Sequence, residues 1–169
     1  MTNQHKRKKF NQIYDQHINK IYRFVYLKVS SQEIAQDICS EAFLRCWRVF
    51  QKNQEEIDNF QSFLYQIARN LVIDFYRKKG RTETLPIESC LEKEDPKVQI
   101  ERDAFLKADI EEIKKALTQI KDDYQNVIIW HYLDDLSISE CAKILDRTES
   151  ATRVLLHRAL KALKEKILK

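Results

Sequence analysis

The stretch LSISECAKILDRTESATRVLLHRALKALKEKI (residues 136–167) decides the fold class of this chain, because two amphipathic helical patterns meet in it at a short polar break. Ser137 and Glu140 form a Ser-x-x-Glu capping box that opens the first helix, and Thr148 is placed to cap the second. Asp146 stands in the turn where glycine would be easier, but aspartate adopts the left-handed backbone conformation more readily than most residues. The break is short enough for the tight angle of a helix-turn-helix, which the stretch therefore predicts.

The last helix has two faces of different chemistry. Its apolar positions predict a buried stripe of Thr152, Leu156, Ala159, Leu160, Leu163 and Ile167. The opposite face carries a row of hydrogen-bond donors: Ser150, Arg153, His157, Lys161 and Lys164. Such a row fits the major groove of DNA, where side chains near the helix N-terminus reach bases and later basic ones reach phosphates. The alternative is an ordinary solvated face, although Glu165 is the only acidic residue after Glu149.

The rest of the chain also has the composition of a helical protein. One glycine and two prolines among 169 residues disfavour tight hairpins and sandwiches, and apolar residues recur at helical spacing. We therefore predict an all-α protein with two small helical domains joined by a flexible linker. The predicted domains are residues 1–80 and 109–169, and the linker at 81–108 contains both prolines.

Capping patterns divide the two domains into helices. The expected helices of the first domain span residues 11–29, 31–50 and 60–79, with a polar stretch at 51–59. Ser30 and Glu33 form a capping box before the second of these helices, and Gly80 follows the third as a C-cap. In the second domain a helix is expected at residues 109–120, and Asp122 with Gln125 would cap the next one.

The third helix of the first domain also has two distinct faces. Its expected buried face consists of Phe60, Leu64, Ile67, Ala68, Leu71 and Phe75. Opposite this face lies a polar row of Gln66, Asn70, Asp74 and Arg77, flanked by Tyr65, Arg69 and Tyr76. Aromatic rings beside arginine on an exposed face are typical of surfaces that bind unstacked bases and phosphates. The alternative is an Asp74–Arg77 pair on a solvated face with tyrosines at its edge.

The formal net charge of +4 is unevenly distributed. Basic clusters occur at residues 5–9 (HKRKK), at residues 77–81 (RKKGR) and in the C-terminal helix, whereas residues 91–112 are acidic. Separated basic clusters indicate a polyanion that is contacted at more than one place, although solvated helix faces would explain any single cluster.

Several classes of function lack support in the sequence. The four histidines and four cysteines have no zinc-ligand spacing, the acidic pairs sit at expected helix ends, and there is no glycine-rich phosphate loop. We therefore expect no catalytic residues, no metal and no cofactor. No apolar run approaches the ~18 residues that span a bilayer, and the N-terminus does not read as a secretory signal. A cytoplasmic protein without membrane insertion and with reduced thiols is expected.

Three stretches, taken in order, resemble the motifs of small sigma factors of the sigma-70 superfamily, of the extracytoplasmic-function (ECF, group IV) type. AQDICSEAFLRCWRVF (35–50) resembles the family's A-x-D-hydrophobic-x-Q-E-x-F-x-x-x-W helix, with Ser40 in place of glutamine. FQSFLYQIARNLVIDFYRKK (60–79) resembles F-x-x-W-L-x-x-I-A-x-N-x-x-x-D-x-x-R and keeps Ile67, Ala68, Asn70, Asp74 and Arg77. The opening stretch resembles L-S-x-x-E-I-A-x-x-L-G-x-S-x-G-T-V-K-S-R-L-H-R-A-R and keeps Leu136, Ser137, Glu140, Ala142, Leu145, Leu156, His157, Arg158 and Ala159.

The resemblance implies a promoter-specificity subunit with partners and a division of labour between its domains. The partners would be core RNA polymerase, promoter DNA and an anti-sigma protein. Core polymerase would be bound by Asp37, Glu41, Leu44 and Arg45. The −10 element would be recognised and melted by Asn53, Asp58, Asn59, Tyr65, Gln66, Arg69, Asn70, Asp74, Arg77 and Lys78. The −35 element would be read by Thr148, Glu149, Ser150, Arg153, His157, Arg158 and Lys161.

The chain departs from the family pattern inside the last helix. Residues 152–155 are Thr-Arg-Val-Leu where the family often has V-K-S-R, so one basic group is missing near the groove. Two other functions remain open at this point: a stand-alone helix-turn-helix regulator that acts without being a polymerase subunit, and a helical adaptor that binds only proteins. Dependence on polymerase and salt-dependent DNA binding distinguish the three.

Overall fold

The protein is all helical over the part of the chain that its computed structural model describes, which is residues 2–80 and 111–168. These residues form two compact helical units. The all-α prediction is confirmed. The linker predicted at 81–108 lies outside the described residues. None of the described helices is both long and apolar enough to cross a membrane.

The first unit packs three helices against one another: α1 (Asn3–Val29), α2 (Gln32–Lys52) and α3 (Phe60–Lys78). Helix α1 begins at Asn3 rather than at residue 11, so the basic cluster at residues 5–9 is helical. The spacing of apolar residues did not predict these first two helical turns of α1. They are held against α2 by Phe10, whose ring centroid lies 5.0 Å from that of Trp47 and 5.8 Å from that of Phe50.

The cap between α1 and α2 lies one residue later than predicted. Ser31, not Ser30, is the N-cap of α2, and its side chain accepts a hydrogen bond from the backbone N–H of Ile34 at 3.4 Å. Ser30 instead ends α1 in the left-handed conformation, with φ 58° and its N–H bonded to the Tyr26 carbonyl at 2.9 Å. Two residues must reverse the chain here, so one serine ends a helix and the next begins one.

The buried face of α3 is rotated relative to the prediction. Its buried residues are Ser62, Leu64, Tyr65, Ala68 and Val72. Ile67, Leu71 and Phe75 are only partly buried. Because α3 contacts both α1 and α2, these neighbours rather than the width of its apolar stripe determine which arc is covered. As predicted, Gly80 follows the helix, at φ 66°.

The second unit contains helical residues 111–118 (α4), α5 (Asp122–Ile128), α6 (Ile138–Leu145) and α7 (Glu149–Ile167). Its core is built around Trp130, Leu136, Cys141 and Ala159, and α5 packs against α7. Asp122 is not the cap of α5, because Lys121 occupies the N-cap position. The Asp122 carboxylate accepts a hydrogen bond from the Asn126 amide at 3.1 Å instead.

Helix α5 leads directly into a π-helical turn (Ile129–Leu133) before the chain reverses. The N–H of Asp134 bonds to the Ile129 carbonyl at 3.0 Å, and Asp135 has a left-handed φ of 57°. The N–H of Leu136 then bonds to the Trp130 carbonyl at 2.9 Å. This wide turn buries Trp130 and brings the chain to the start of α6.

Candidate nucleic-acid interface

The connection between α6 and α7 has the local geometry of a helix-turn-helix, and its predicted caps are confirmed. The Ser137 N–H donates to the Glu140 carboxylate at 2.8 Å, and the Glu140 N–H donates to the Ser137 hydroxyl at 3.1 Å. Asp146 is in the left-handed conformation with φ 53°, as its place in the turn predicts. Thr148 caps α7 by accepting from the Ala151 N–H at 3.1 Å. The turn therefore needs no glycine to end α6 and start α7.

Helix α7 buries one face and exposes the other. Its buried residues are Thr152, Leu155, Leu156 and Ala159. Leu160 was predicted to be buried and is 37% exposed, whereas Leu155 is buried, because the covered arc of α7 centres on Ala159. The donors of the opposite row are all exposed: Ser150, Arg153, His157, Lys161 and Lys164. Glu149 and Arg158 are exposed on this helix as well.

Two arginines near the start of α7 form exposed ion pairs. Arg153 lies 3.3 Å from the Glu149 carboxylate, and the two side chains are 61% and 51% exposed. Arg147 lies 2.9 Å from Asp123. Ion pairs this exposed contribute at most about 1 kcal/mol to stability. A phosphate or base can therefore displace the carboxylate with little loss of free energy. Arg147 was not among the residues predicted to contact DNA, because it lies in the turn before α7 rather than in the row of donors on that helix.

An exposed apolar residue stands among the donors of α7. Val154 is 50% exposed. In the sequence this position stands out only as a departure from the family's V-K-S-R, and the exposed row at Ser150 and His157 is the pattern that could have identified it.

The polar face of α3 keeps most of its predicted residues accessible. Asn70, Arg77 and Lys78 are exposed, and Gln66, Arg69 and Asp74 are partly exposed. Arg77 lies 4.0 Å from Asp74 across one helical turn. The row is therefore brought together on one side of the helix.

Tyr65 does not belong to this accessible face, and the prediction that its ring is available to bases was wrong. Its exposed fraction is 0%, and its ring centroid lies 5.6 Å from that of Phe24 in an edge-on arrangement. Tyr76 remains 36% exposed while its hydroxyl donates to the Lys28 carbonyl. Only one of the two tyrosines is thus available at the surface.

The polar stretch predicted at residues 51–59 is shorter than expected and contains two capping asparagines. Helix α2 extends to Lys52, and a 3₁₀ turn (Gln54–Glu56) follows. Asn53 accepts from the Glu55 N–H at 3.3 Å and donates to the Glu56 carboxylate at 3.2 Å. Asn59 caps α3 by accepting from the Ser62 N–H at 2.9 Å, while Asp58 is exposed.

The four residues predicted to bind polymerase lie together on the outer face of α2. Arg45 Nε lies 2.7 Å from Glu41 Oε1, and this hydrogen bond is the main reason why the pKa of Glu41 is lowered. Asp37 is exposed, and Leu44 is 43% exposed. Beside Leu44 an open depression of about 350 Å³ runs between α1 and α2, lined by Arg7, Phe10, Asn11, Phe43, Leu44 and Trp47.

The cysteines of the described residues are packing groups. Cys39, Cys46 and Cys141 are free and buried, and burial raises the pKa of each thiol to about 12. Cys90 lies outside the described residues. Within residues 2–80 and 111–168, histidine, cysteine and carboxylate side chains form no group able to hold a metal ion.

We expect these three thiols to resist alkylation while the protein is folded, because a pKa of about 12 leaves almost no thiolate at pH 8. The measurement is iodoacetamide labelling of a Cys90→Ser variant at pH 8, read by mass spectrometry, with urea-unfolded protein as the control. Modification of the folded variant at the rate seen in urea would contradict the burial of these side chains.

Family models and relatives agree with the two-unit arrangement. The description "Sigma-70 region 2" matches residues 13–82, and "Sigma-70, region 4" matches residues 101–163. The ECF RNA polymerase sigma factor SigW of Bacillus subtilis is 31% identical over 172 residues, covering 94% of this chain and 88% of that protein. The ECF RNA polymerase sigma factor BldN of Streptomyces coelicolor is 26% identical over 154 residues, and the match covers 91% of this chain but only 58% of BldN.

Solved structures show the same fold at lower identity. The sigma factor RpoE from Bartonella quintana, in complex with the anti-sigma factor NepR, has a TM-score of 0.70 at 22% identity and covers 95% of this chain and 97% of its own. CnrH, in complex with the cytosolic domain of CnrY, has a TM-score of 0.68 at 17% identity, with coverage of 94% and 87%. The chain belongs to the extracytoplasmic-function sigma factors of the sigma-70 family, which bind core RNA polymerase and direct promoter-specific transcription initiation.

Proposed function

We propose that the two units divide promoter recognition between them, with α2 and α3 serving polymerase and the −10 element and α7 reading the −35 element. The observation that carries the −35 assignment is the exposed donor row of a helix that begins at a capped, left-handed turn. A helix-turn-helix places such a second helix in the major groove of duplex DNA.

The −35 contact uses side chains of different reach along α7. Ser150 and Arg153, exposed in the first two turns, would contact base edges, and Lys161, exposed two turns later, would contact phosphate. Arg153 can donate to guanine once it leaves Glu149, and Glu149 can then accept from a cytosine amine. Thr148, His157 and Arg158 complete the proposed surface at its start and along its side.

The −10 contact uses the polar face of α3 together with the segment before it. Asn70, Asp74 and Arg77 offer an amide, a carboxylate and a guanidinium on one exposed face. These groups pair with the edges of unstacked bases and with phosphates. Gln66, Arg69 and Lys78 extend the surface, and Asn53, Asp58 and Asn59 would hold a flipped base. Asn59 would have to release the cap of α3 to do so. Tyr65 is excluded from the proposal by its burial.

The polymerase contact is assigned to the outer face of α2. Asp37, Glu41 and Arg45 supply charged groups around the exposed Leu44, which gives an apolar centre with a polar rim. This is the anatomy of a protein interface. We also infer an anti-sigma protein as a partner, because the related RpoE structure contains one. The inferred place of action is the cytoplasm, where polymerase works, and no catalytic chemistry of its own is assigned to the chain.

The test of the function is reconstitution. Purified chain added to core RNA polymerase should direct transcripts from specific starts, and mapping those starts gives the cognate promoter. Core polymerase alone is the control. A chain that binds operator DNA but neither co-purifies with core polymerase nor starts transcripts would support the stand-alone regulator, which the family match does not favour.

The Asn70→Ala variant is expected to slow open-complex formation about two- to twelvefold, because one base-directed hydrogen bond contributes about 0.5–1.5 kcal/mol. Binding to the −35 element should be retained, since Asn70 is exposed on α3 and its loss leaves α7 unchanged. Promoter melting followed by permanganate reactivity measures the effect. Asn19→Ala, an exposed asparagine on α1, is the matched control. Unchanged melting in the Asn70 variant would remove this residue from the −10 surface.

A further inference from the structure

Val154 is placed where a donor would be expected. It lies on the exposed face of α7, four residues after Ser150 and three before His157, and half of its surface is exposed. Single exposed apolar side chains are common on proteins. Val154 is unusual because its neighbours on this face are the polar and basic groups proposed to contact DNA.

Val154 also has apolar neighbours within that face. An open depression of about 370 Å³ is lined by Arg147, Ser150, Ala151, Val154, Leu155 and Arg158. Ala151, Val154 and Leu155 give it an apolar lining, and Arg147 and Arg158 add two positive charges. A group that fits here is therefore itself apolar and lies close to negative charge.

The major groove offers one such group. Thymine is the only one of the four bases that presents a methyl group there, at C5, whereas the other base edges present hydrogen-bond donors and acceptors. A valine cannot satisfy those donors and acceptors, but it can shield a methyl group from water. The flanking arginines can meanwhile contact the phosphates on either side of the base.

We propose that Val154 contacts the C5-methyl group of a thymine in the −35 element and makes this protein select T·A at that position. The proposal rests on the −35 reading assigned to α7. It adds a hydrophobic contact to a surface otherwise defined by donors, and it assigns a role to the position where this chain has valine in place of the family's serine.

The experiment removes the methyl group from either side of the contact. Holoenzyme is bound to its mapped promoter, and each thymine of the −35 element is replaced in turn by deoxyuridine, which lacks only the C5-methyl. One position should lose about fourfold in affinity, from about 0.8 kcal/mol per buried methyl group at 1.4 kcal/mol per tenfold. Val154→Ala should weaken binding to the thymine promoter by a similar factor. In that variant the deoxyuridine substitution should have no further effect.

Leu160→Ala is the matched control, because it truncates another exposed apolar side chain of α7 outside the donor row. It should leave the deoxyuridine effect intact. The inference is overturned if no thymine is sensitive to loss of its methyl, or if Val154→Ala retains the full sensitivity. A scrambled −35 element distinguishes failure of the −35 function from failure of the Val154 contact alone. If scrambling has no effect on initiation, the −35 function itself fails and the Val154 contact fails with it. If scrambling abolishes initiation but no methyl matters, only the Val154 contact is wrong.

Discussion

Replacing Tyr65 with alanine is expected to destabilise the first unit by about 3–5 kcal/mol, the usual cost of deleting a buried aromatic ring. The side chain has no exposed surface and its ring meets Phe24 edge-on at 5.6 Å, so truncation leaves a cavity between α3 and α1. Amide hydrogen exchange read separately for the two units measures the loss. Exchange should accelerate in residues 2–80 and stay unchanged in residues 111–168.

Tyr65→Phe separates the contribution of the ring from that of the hydroxyl. It keeps the ring and removes the hydroxyl, so it should lose no more than about 0.5–1.5 kcal/mol and should still melt the promoter. Tyr132→Ala, at a tyrosine that is 53% exposed, serves as the control and should change stability by less than about 0.5 kcal/mol. A Tyr65→Ala protein that is as stable as wild type but fails to melt DNA would show that the ring contacts bases after all.

The Arg153→Ala variant is expected to lose about 5- to 150-fold in affinity for the cognate −35 element, since one bidentate contact to a base contributes about 1–3 kcal/mol of discrimination. The exposed Glu149 pair gives little stability in the free protein, so α7 should remain folded. Competition binding of holoenzyme to cognate and −35-mutated promoters measures the effect. The loss should be confined to the cognate sequence, and binding to core polymerase should not change.

Lys164→Ala provides the contrast for Arg153. It removes a positive charge from the same face near the end of α7, and a phosphate contact there would weaken all sequences about equally. The slope of log affinity against log salt would fall by about 0.9. If Arg153→Ala weakens cognate and mutated promoters alike, Arg153 contacts phosphate rather than a base. If it abolishes polymerase binding, α7 has another role.

Helix caps and turn conformations were predicted correctly from the sequence where a few neighbouring residues determine them. The Ser137–Glu140 box, the Thr148 cap and the left-handed Asp146 each depend on side chains within four residues, so their geometry follows from spacing. The cap at Ser31 was missed by one position, because only Ser30 has a glutamate three residues later, whereas the chain reversal uses Ser30 to end α1 and leaves Ser31 to cap α2.

Features that depend on other helices could not be read from one stretch. The apolar stripe of α3 is wide enough for several rotations, and contact with both α1 and α2 selects the one that buries Tyr65. The first two turns of α1 are polar, and only Phe10 meeting Trp47 and Phe50 reveals why they are helical. Of the candidate site, the row on α7 and the face of α2 could be predicted, and the same row could have identified Val154, whereas the pairing of Arg147 with the distant Asp123 could not.

The short connections between helices within each unit affect how soon newly synthesised protein is folded. Two residues join α1 to α2, and three join α6 to α7, so little chain lies between these consecutive helices. Small helical bundles fold in microseconds to milliseconds, far faster than a ribosome adds residues. Each unit should therefore be folded almost as soon as its last helix has emerged. Folding is then not the step that limits how soon newly synthesised protein is available.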